Sequence, residues 1–241
     1  LSFWLKFFTI LFFSGICTLK SINPPASIEA LLASSEAIAG LSLAELAQNL
    51  GVSVPKDLKR NKGWVGQLVE KALGAHAGSK AEPDFPELQV ELKTLPIQGE
   101  GLPLETTFVT TFPLMYSGYL NFENSVLFHK LRQVLWVPVQ GERCIPLADR
   151  RIGTPFLWRP SPSQWAVLRQ DWEELMEMAC TGQVEQLSAA HGQMLQVRPK
   201  AAHGGVLTEA MGAQGQKILT RPRGFYLKKQ FTTSLLQAAF D

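Results

Sequence analysis

The spacing of apolar residues shifts repeatedly along the chain, and each shift predicts an element. From about Ser27 to Ala39 the apolar positions recur with helical period. Ser42 with Glu45 has the form of a capping box opening a short helix to Leu50, and Gly51 suits its stop. Between Asn61 and Ala75, Trp64, Leu68 and Ala72 with their neighbours Val65, Val69 and Leu73 predict a longer amphipathic helix that contains Glu70. The pattern then becomes strand-like over about Glu87–Leu95, Glu105–Phe112 and Val134–Val139, with His129-Lys130 preceding the last. After Pro160-Ser161-Pro162, Ser163 to Cys180 reads as a helix with an acidic face at Asp171, Glu173, Glu174 and Glu177. The C-terminal third mixes short strands and helices at Met194–Arg198, Leu207–Gly212, Gly224–Lys228 and Thr232–Phe240. Strands flanked by helices, with no internal repeat, indicate an α/β or mixed α+β domain.

Composition bounds this picture more than it sharpens it. At 241 residues, 46% hydrophobic and 18% charged, the chain can bury a full core as one domain or one domain with two lobes. The net charge of +2 does not by itself announce a nucleic-acid partner. Its distribution says more: from Leu195 to Gln230, seven cations stand against Glu209 alone, a local +6 that leaves −4 elsewhere. That asymmetry suits a polyanion held on one face. Cys17, Cys144 and Cys180 lack metal-ligand spacing and read as free thiols of a reducing compartment, and the four histidines do not cluster. Leu1 to Cys17 is strongly apolar, too short for a membrane span and similar to a signal-peptide apolar region. The preferred reading is that residues 1–22 are an extension outside a working domain of residues 23–241, with a membrane tether as the alternative.

One short stretch carries candidate chemistry. Asp84 is followed seven residues later by Glu91-Leu92-Lys93. Read as a strand, Leu88, Val90 and Leu92 share one face, while Gln89, Glu91 and Lys93 share the other. An apolar face can pack while a carboxylate and an ammonium project together into a cleft. Asp84 converges on Glu91 if the chain turns near Phe85-Pro86. Two carboxylates are hard ligands suited to Mg²⁺, with a main-chain carbonyl near Leu92 as a third oxygen. Lys93 would orient the attacking water of a phosphodiester hydrolysis. By itself this motif is weak, and a strand with charges on its solvated face is the ordinary reading.

Longer blocks narrow the choice. Leu58-Lys59-Arg60-Asn61-Lys62-Gly63-Trp64-Val65-Gly66, Ala77-Gly78-Ser79-Lys80, Val90-Glu91-Leu92-Lys93-Thr94 and Pro103-Leu104-Glu105-Thr106-Thr107-Phe108 come first. Asp171-Trp172-Glu173-Glu174-Leu175-Met176, Arg198-Pro199-Lys200-Ala201-Ala202 and Pro222-Arg223-Gly224-Phe225-Tyr226-Leu227-Lys228-Lys229 follow in order. From about Ile28 onward the chain resembles the MutH family, the strand-nicking endonucleases of DNA mismatch repair. The resemblance implies a restriction-endonuclease-like mixed sheet flanked by helices, with two lobes around a DNA-binding cleft. It also implies a cytoplasmic, monomeric, Mg²⁺-dependent enzyme that nicks the unmethylated strand of hemimethylated GATC. MutL would be its activator, with MutS acting indirectly, and no stable membrane association is expected. A non-catalytic reader of adenine methylation on the same scaffold is the alternative, against which the intact Asp84, Glu91 and Lys93 set speaks.

The resemblance also assigns residues. Glu70, on its own an exposed helix carboxylate, becomes an active-site carboxylate, and Lys130 reaches the active site or the scissile phosphate. Lys62 and Gly63 resemble a phosphate-contacting turn, where glycine permits close approach. Arg198 suits a guanine edge, Pro199 stiffens the backbone beside it, and Lys200 suits a base edge or a phosphate. Phe108 resembles a residue supporting DNA binding, with core packing as the other reading. Tyr226 resembles the tyrosine that senses the adenine N6 position, where a methyl group would clash.

Overall fold

The computed structural model describes residues 23–58, 60–75, 81–115, 121–200 and 205–240. The apolar stretch 1–22, the Ala77–Lys80 block, Lys59, His76, Ala201, Ala202 and His203 lie outside the described residues. The chain divides into two compact units. One comprises the described residues to Glu105, Gln133–Trp158 and the chain from Leu235; the other comprises Thr106–Arg132 and Arg159–Ser234. Among the described residues no helix is long and apolar enough to cross a membrane.

In the first unit three helices precede the sheet: α1 (Ile28–Ala37), α2 (Leu43–Asn49) and α3 (Trp64–Leu73). The capping box expected at α2 is formed, with Glu45 N–H donating to Ser42 Oγ at 3.1 Å and Ser42 N–H to Glu45 Oε2 at 2.7 Å. Those bonds, the backbone one foremost, hold the Glu45 carboxyl below its ordinary value. Gly51 follows at φ +63°, the left-handed conformation that ends the helix.

The sheet of this unit has the order β1 (Glu91–Ile97), β3 (Val134–Gln140), β4 (Phe156–Trp158), with β1 and β3 parallel and β4 antiparallel. β3 is the central strand and is buried throughout except at Gln140, which explains its unbroken apolar run. Leu46, Leu68, Val69 and Leu73 of the helices pack with Leu92, Leu135 and Val137 of the strands in one core. Each fully buried aliphatic side chain there contributes about 1.5–3 kcal/mol.

In the second unit β2 (Thr107–Thr111) and β5 (Leu195–Pro199) flank β8 (Arg223–Leu227), all antiparallel. A hairpin of β6 (Thr208–Met211) and β7 (Lys217–Thr220) stands apart from that sheet. Helix α4 (Val126–Leu131) carries Lys130; α5 (Pro162–Cys180) lies against β5; and α6 (Lys229–Phe240) closes the chain. The mixed α/β class expected from the sequence is the one observed.

Three local expectations need correction. The strand read from Glu87 begins only at Glu91. Pro86, with fixed φ and no N–H, starts a 3₁₀ turn over Pro86–Leu88, and Gln89 follows in a left-handed conformation at φ 53°. Gln89 is therefore an exposed turn residue and does not share a strand face with Glu91, although Leu88, Val90 and Leu92 all contact the core. Second, Asp171 does not belong to an acidic solvent face of α5, because it is 1% exposed. Third, the basic C-terminal stretch is not all surface charge. Arg223 is buried beside Glu185, Lys217 pairs with Glu209 at 2.9 Å, and Lys228 Nζ donates to Gly192 O at 2.6 Å.

Candidate active site and nucleic-acid face

The turn at Pro86 folds Asp84 back onto the start of β1. Phe85 and Val90 form a two-residue bridge, closed by Phe85 N–H to Val90 O at 2.9 Å. Asp84 Oδ2 then accepts from Leu92 N–H at 2.8 Å. The ladder explains why that amide is available. Glu91 N–H donates to Gln133 O, on the β3 side. Alternation in a parallel pair turns both backbone groups of Leu92 to the other edge, where among the described residues β1 has no strand neighbour. Asp84 and the Leu92 carbonyl therefore meet at one strand edge.

Glu91 and Lys93 project from the face opposite Leu92 and Thr94, as alternation requires. Glu91 is 1% exposed, and its Oε1 accepts from Lys93 Nζ at 2.5 Å. A buried carboxylate is tolerable only when paired. The ammonium satisfies it, while the Lys93 side chain keeps 17% of its surface accessible. The sequence-predicted trio Asp84, Glu91 and Lys93 is thus brought together around two residues of one strand.

Glu70 is placed differently. A Cβ added at Gly66 of α3 would lie 3.7 Å from Glu70 Oε1 and 3.8 Å from Thr94 Oγ1. Those two oxygens flank one point, on the strand face that Glu91 does not use. Among the described residues no three acidic, His or Cys side chains gather closely enough to hold a metal. The oxygens that sequence reasoning offers at this end of β1 are the Asp84 and Glu91 carboxylates and the Leu92 carbonyl, with Asp84 on the Leu92 N–H and Glu91 on the adjoining residue. Hard oxygens of this kind fit Mg²⁺, which keeps several waters and takes few protein ligands.

Lys62 and Gly63 precede α3. Gly63 is the N-cap at φ 85°, a conformation that admits few other residues, and Lys62 is exposed. Both line a cleft of about 780 Å³ together with Gly66, Thr94, Glu105 and Arg143. Lys130, in the last turn of α4, is 8% exposed and belongs to the second unit.

The second unit assembles a separate surface. Tyr226 on β8 is flanked in register by Phe108 on β2 and Gln196 on β5. Gly224 and Arg198 are the next pair on the same face. The other face carries Leu195, Val197, Phe225 and Leu227, each at most 1% exposed, and forms the core side. Phe108 and Tyr226 meet edge-to-face with centroids 5.4 Å apart, and the Lys200 ammonium sits over the Phe108 ring. Arg198 Nη1 donates to Thr106 Oγ1 at 3.0 Å, and its guanidinium lies 6.0 Å from the Tyr226 centroid. Arg198, Pro199 and Lys200 are exposed; Phe108 and Tyr226 are half-buried. Neither ring is a core residue.

Two parts of this surface were not singled out from sequence. Gly224 makes room for Phe108: an added Cβ would lie 2.7 Å from that ring. Asp171 anchors the approach to β5, accepting from the N–H groups of Gln193, Met194 and Leu195 at 2.6–2.8 Å. The signal for Asp171 was present, since it lies three residues from Leu168 and four from Leu175, on the buried stripe of α5. A carboxylate on such a stripe must find donors.

A family model described as "DNA mismatch repair enzyme MutH" matches residues 73–171, which span Asp84, Glu91 and Lys93. The DNA mismatch repair proteins MutH of Salmonella paratyphi B (strain ATCC BAA-1250 / SPB7), Salmonella newport (strain SL254) and Salmonella heidelberg (strain SL476) are each 56% identical over 227 residues, covering 94% of this chain and 97% of theirs. The chain belongs to the MutH family. Its mixed α/β architecture is the restriction-endonuclease-like fold expected of a MutH protein, and its role is that of a mismatch-repair endonuclease.

Proposed function

We propose that this MutH-family chain is a Mg²⁺-dependent endonuclease that nicks the unmethylated strand of hemimethylated GATC sites, with MutL as its activator. The observation that carries the catalytic reading is the Asp84–Leu92 hydrogen bond, which sets one carboxylate at the strand edge beside the Glu91–Lys93 pair. A methylation reader without activity would have no need of all three of Asp84, Glu91 and Lys93.

Asp84, Glu91 and the Leu92 carbonyl would hold the ion. Bound there, a hard divalent cation supplies charge neutralisation at the phosphate and a more acidic water. The chain's own residues do the rest. Glu91 fixes the Lys93 ammonium, and Lys93 directs the nucleophilic water and offsets charge that develops on the phosphate. Glu70 supports the site from the neighbouring helix, and Lys130 reaches the active site or the scissile phosphate. Lys62 and Gly63 hold the backbone. Arg198, Pro199, Lys200, Phe108 and Tyr226 form the reading surface, Tyr226 rejecting an N6-methyl group. Residues 23–241 act as one two-lobed domain, working in the cytoplasm as a monomer.

The test is a nicking assay on plasmids carrying unmethylated, hemimethylated or fully methylated GATC, with and without Mg²⁺ and MutL. Nicking confined to unmethylated strands, dependent on Mg²⁺ and accelerated by MutL, is expected. Cleavage indifferent to methylation would overturn the specificity, and cleavage in EDTA would overturn the metal.

A further inference from the structure

We infer that Gln196 is a base-reading residue whose amide pairs with the N6 and N7 positions of the adenine in the recognised site. This rests on the reading of the β2-β8-β5 face as the surface that meets DNA bases.

Gln196 is the second residue of β5, directly opposite Tyr226 and two residues before Arg198 on the same face. It is 5% exposed. Among the described residues its side-chain amide neither gives nor receives a hydrogen bond, whereas nearly all buried polar groups in proteins are paired. Among the described residues the fully enclosed polar side-chain atoms that lack a partner are Trp136 Nε1 and Arg223 Nε, so the amide of Gln196 keeps an opening to the surface. The aliphatic stem is packed, and a donor and an acceptor are presented beside the Tyr226 ring. An aliphatic residue would serve packing there at lower cost.

The chemistry of the amide selects the base. Adenine shows an N7 acceptor and an N6–H donor in the major groove, and a glutamine amide matches both at once. In a paired adenine, a methyl group on N6 replaces the hydrogen that faces this groove. The amide oxygen then loses its donor. Gln196 would add a polar penalty against methylated DNA to the steric one from Tyr226.

The test measures binding of the full chain without Mg²⁺ to three duplexes: GATC, GATC with 7-deazaadenine, and an unrelated sequence. The wild-type chain is expected to lose several-fold on 7-deazaadenine, which lacks the N7 acceptor. Gln196→Met keeps side-chain length and packing. It should bind GATC about ten- to hundredfold more weakly, bind the unrelated duplex unchanged, and no longer distinguish 7-deazaadenine from adenine. A retained 7-deazaadenine penalty in Gln196→Met, or an equal loss on the unrelated duplex, overturns the assignment. Should Gln196→Met not fold, Gln196→Glu is read by the same criterion. A wild-type chain with no preference for GATC over the unrelated duplex would instead remove the reading of the whole face.

Discussion

Asp84 does two jobs that a single substitution can separate. One oxygen holds the Leu92 N–H at 2.8 Å, which is structural, and the carboxylate charge belongs to the proposed metal site. Asp84→Asn retains an acceptor for the amide but removes the charge. It is expected to lower nicking by about a hundredfold or more, with DNA affinity in EDTA changed less than about threefold and the urea midpoint nearly unchanged. Asp84→Ala should add a stability loss of about 1–3 kcal/mol, because it strands the Leu92 N–H. Wild-type nicking by Asp84→Asn would sink the metal assignment. Tyr226 tests the opposite logic, since its proposed role is to exclude. It stands half-buried between Phe108 and Gln196 on the wet face of its sheet, where a ring can meet a base edge. Tyr226→Ser should narrow the ratio of nicking rates on unmethylated and fully methylated GATC at matched salt and Mg²⁺. An unchanged ratio with both rates reduced would make the ring a packing residue.

At the scale of elements, helical period and apolar runs located α3, α5 and β3, while specific side-chain chemistry set where elements begin. Ser42 and Glu45 specify a helix start by satisfying each other's backbone N–H, and the structure forms that box. The reading of Leu88–Lys93 as one strand gave way at Pro86, which imposes a turn that alternation cannot foresee; the same turn is what delivers Asp84 to Leu92. The roles proposed for Glu70 and Lys130 rest on family resemblance, because their surroundings in sequence give no sign of them. Asp171 lies on the buried stripe of α5 and not on the acidic face expected with Glu173, Glu174 and Glu177. Its carboxylate binds three successive amides at the entry to β5, and Lys228 holds the adjacent Gly192 carbonyl. Asp171→Ala leaves those N–H groups unpaired and should cost about 3 kcal/mol or more in urea unfolding. Because β5 carries Gln196 and Arg198, GATC affinity should fall with it. A loss below about 0.5 kcal/mol would show that water replaces the carboxylate without penalty.

At the scale of the whole molecule, the question is which cations a polyanion feels. The total of +2 conceals a +6 stretch from Leu195 to Gln230, yet the structure removes several of its charges from play. Arg223 is 7% exposed and faces Glu185, and Lys217 is neutralised by Glu209. Lys62, Lys200 and Arg198 remain exposed, the first in one unit and the others in the second. Counterion release makes each phosphate contact visible as about 0.9 in the slope of log K against log salt. Lys62→Ala should therefore lower the slope by about one, with equal weakening on GATC and on unrelated duplexes. Lys200→Ala should lower it similarly if its ammonium leaves the Phe108 ring for a phosphate. Lys217→Ala should leave the slope unchanged, because the wild-type charge is already paired. The measurement is a titration of both duplexes between about 50 and 200 mM salt, the range over which phosphate contacts change affinity steeply. A slope altered by Lys217→Ala but not by Lys62→Ala would move the phosphate track from the α3 turn to the β6–β7 hairpin.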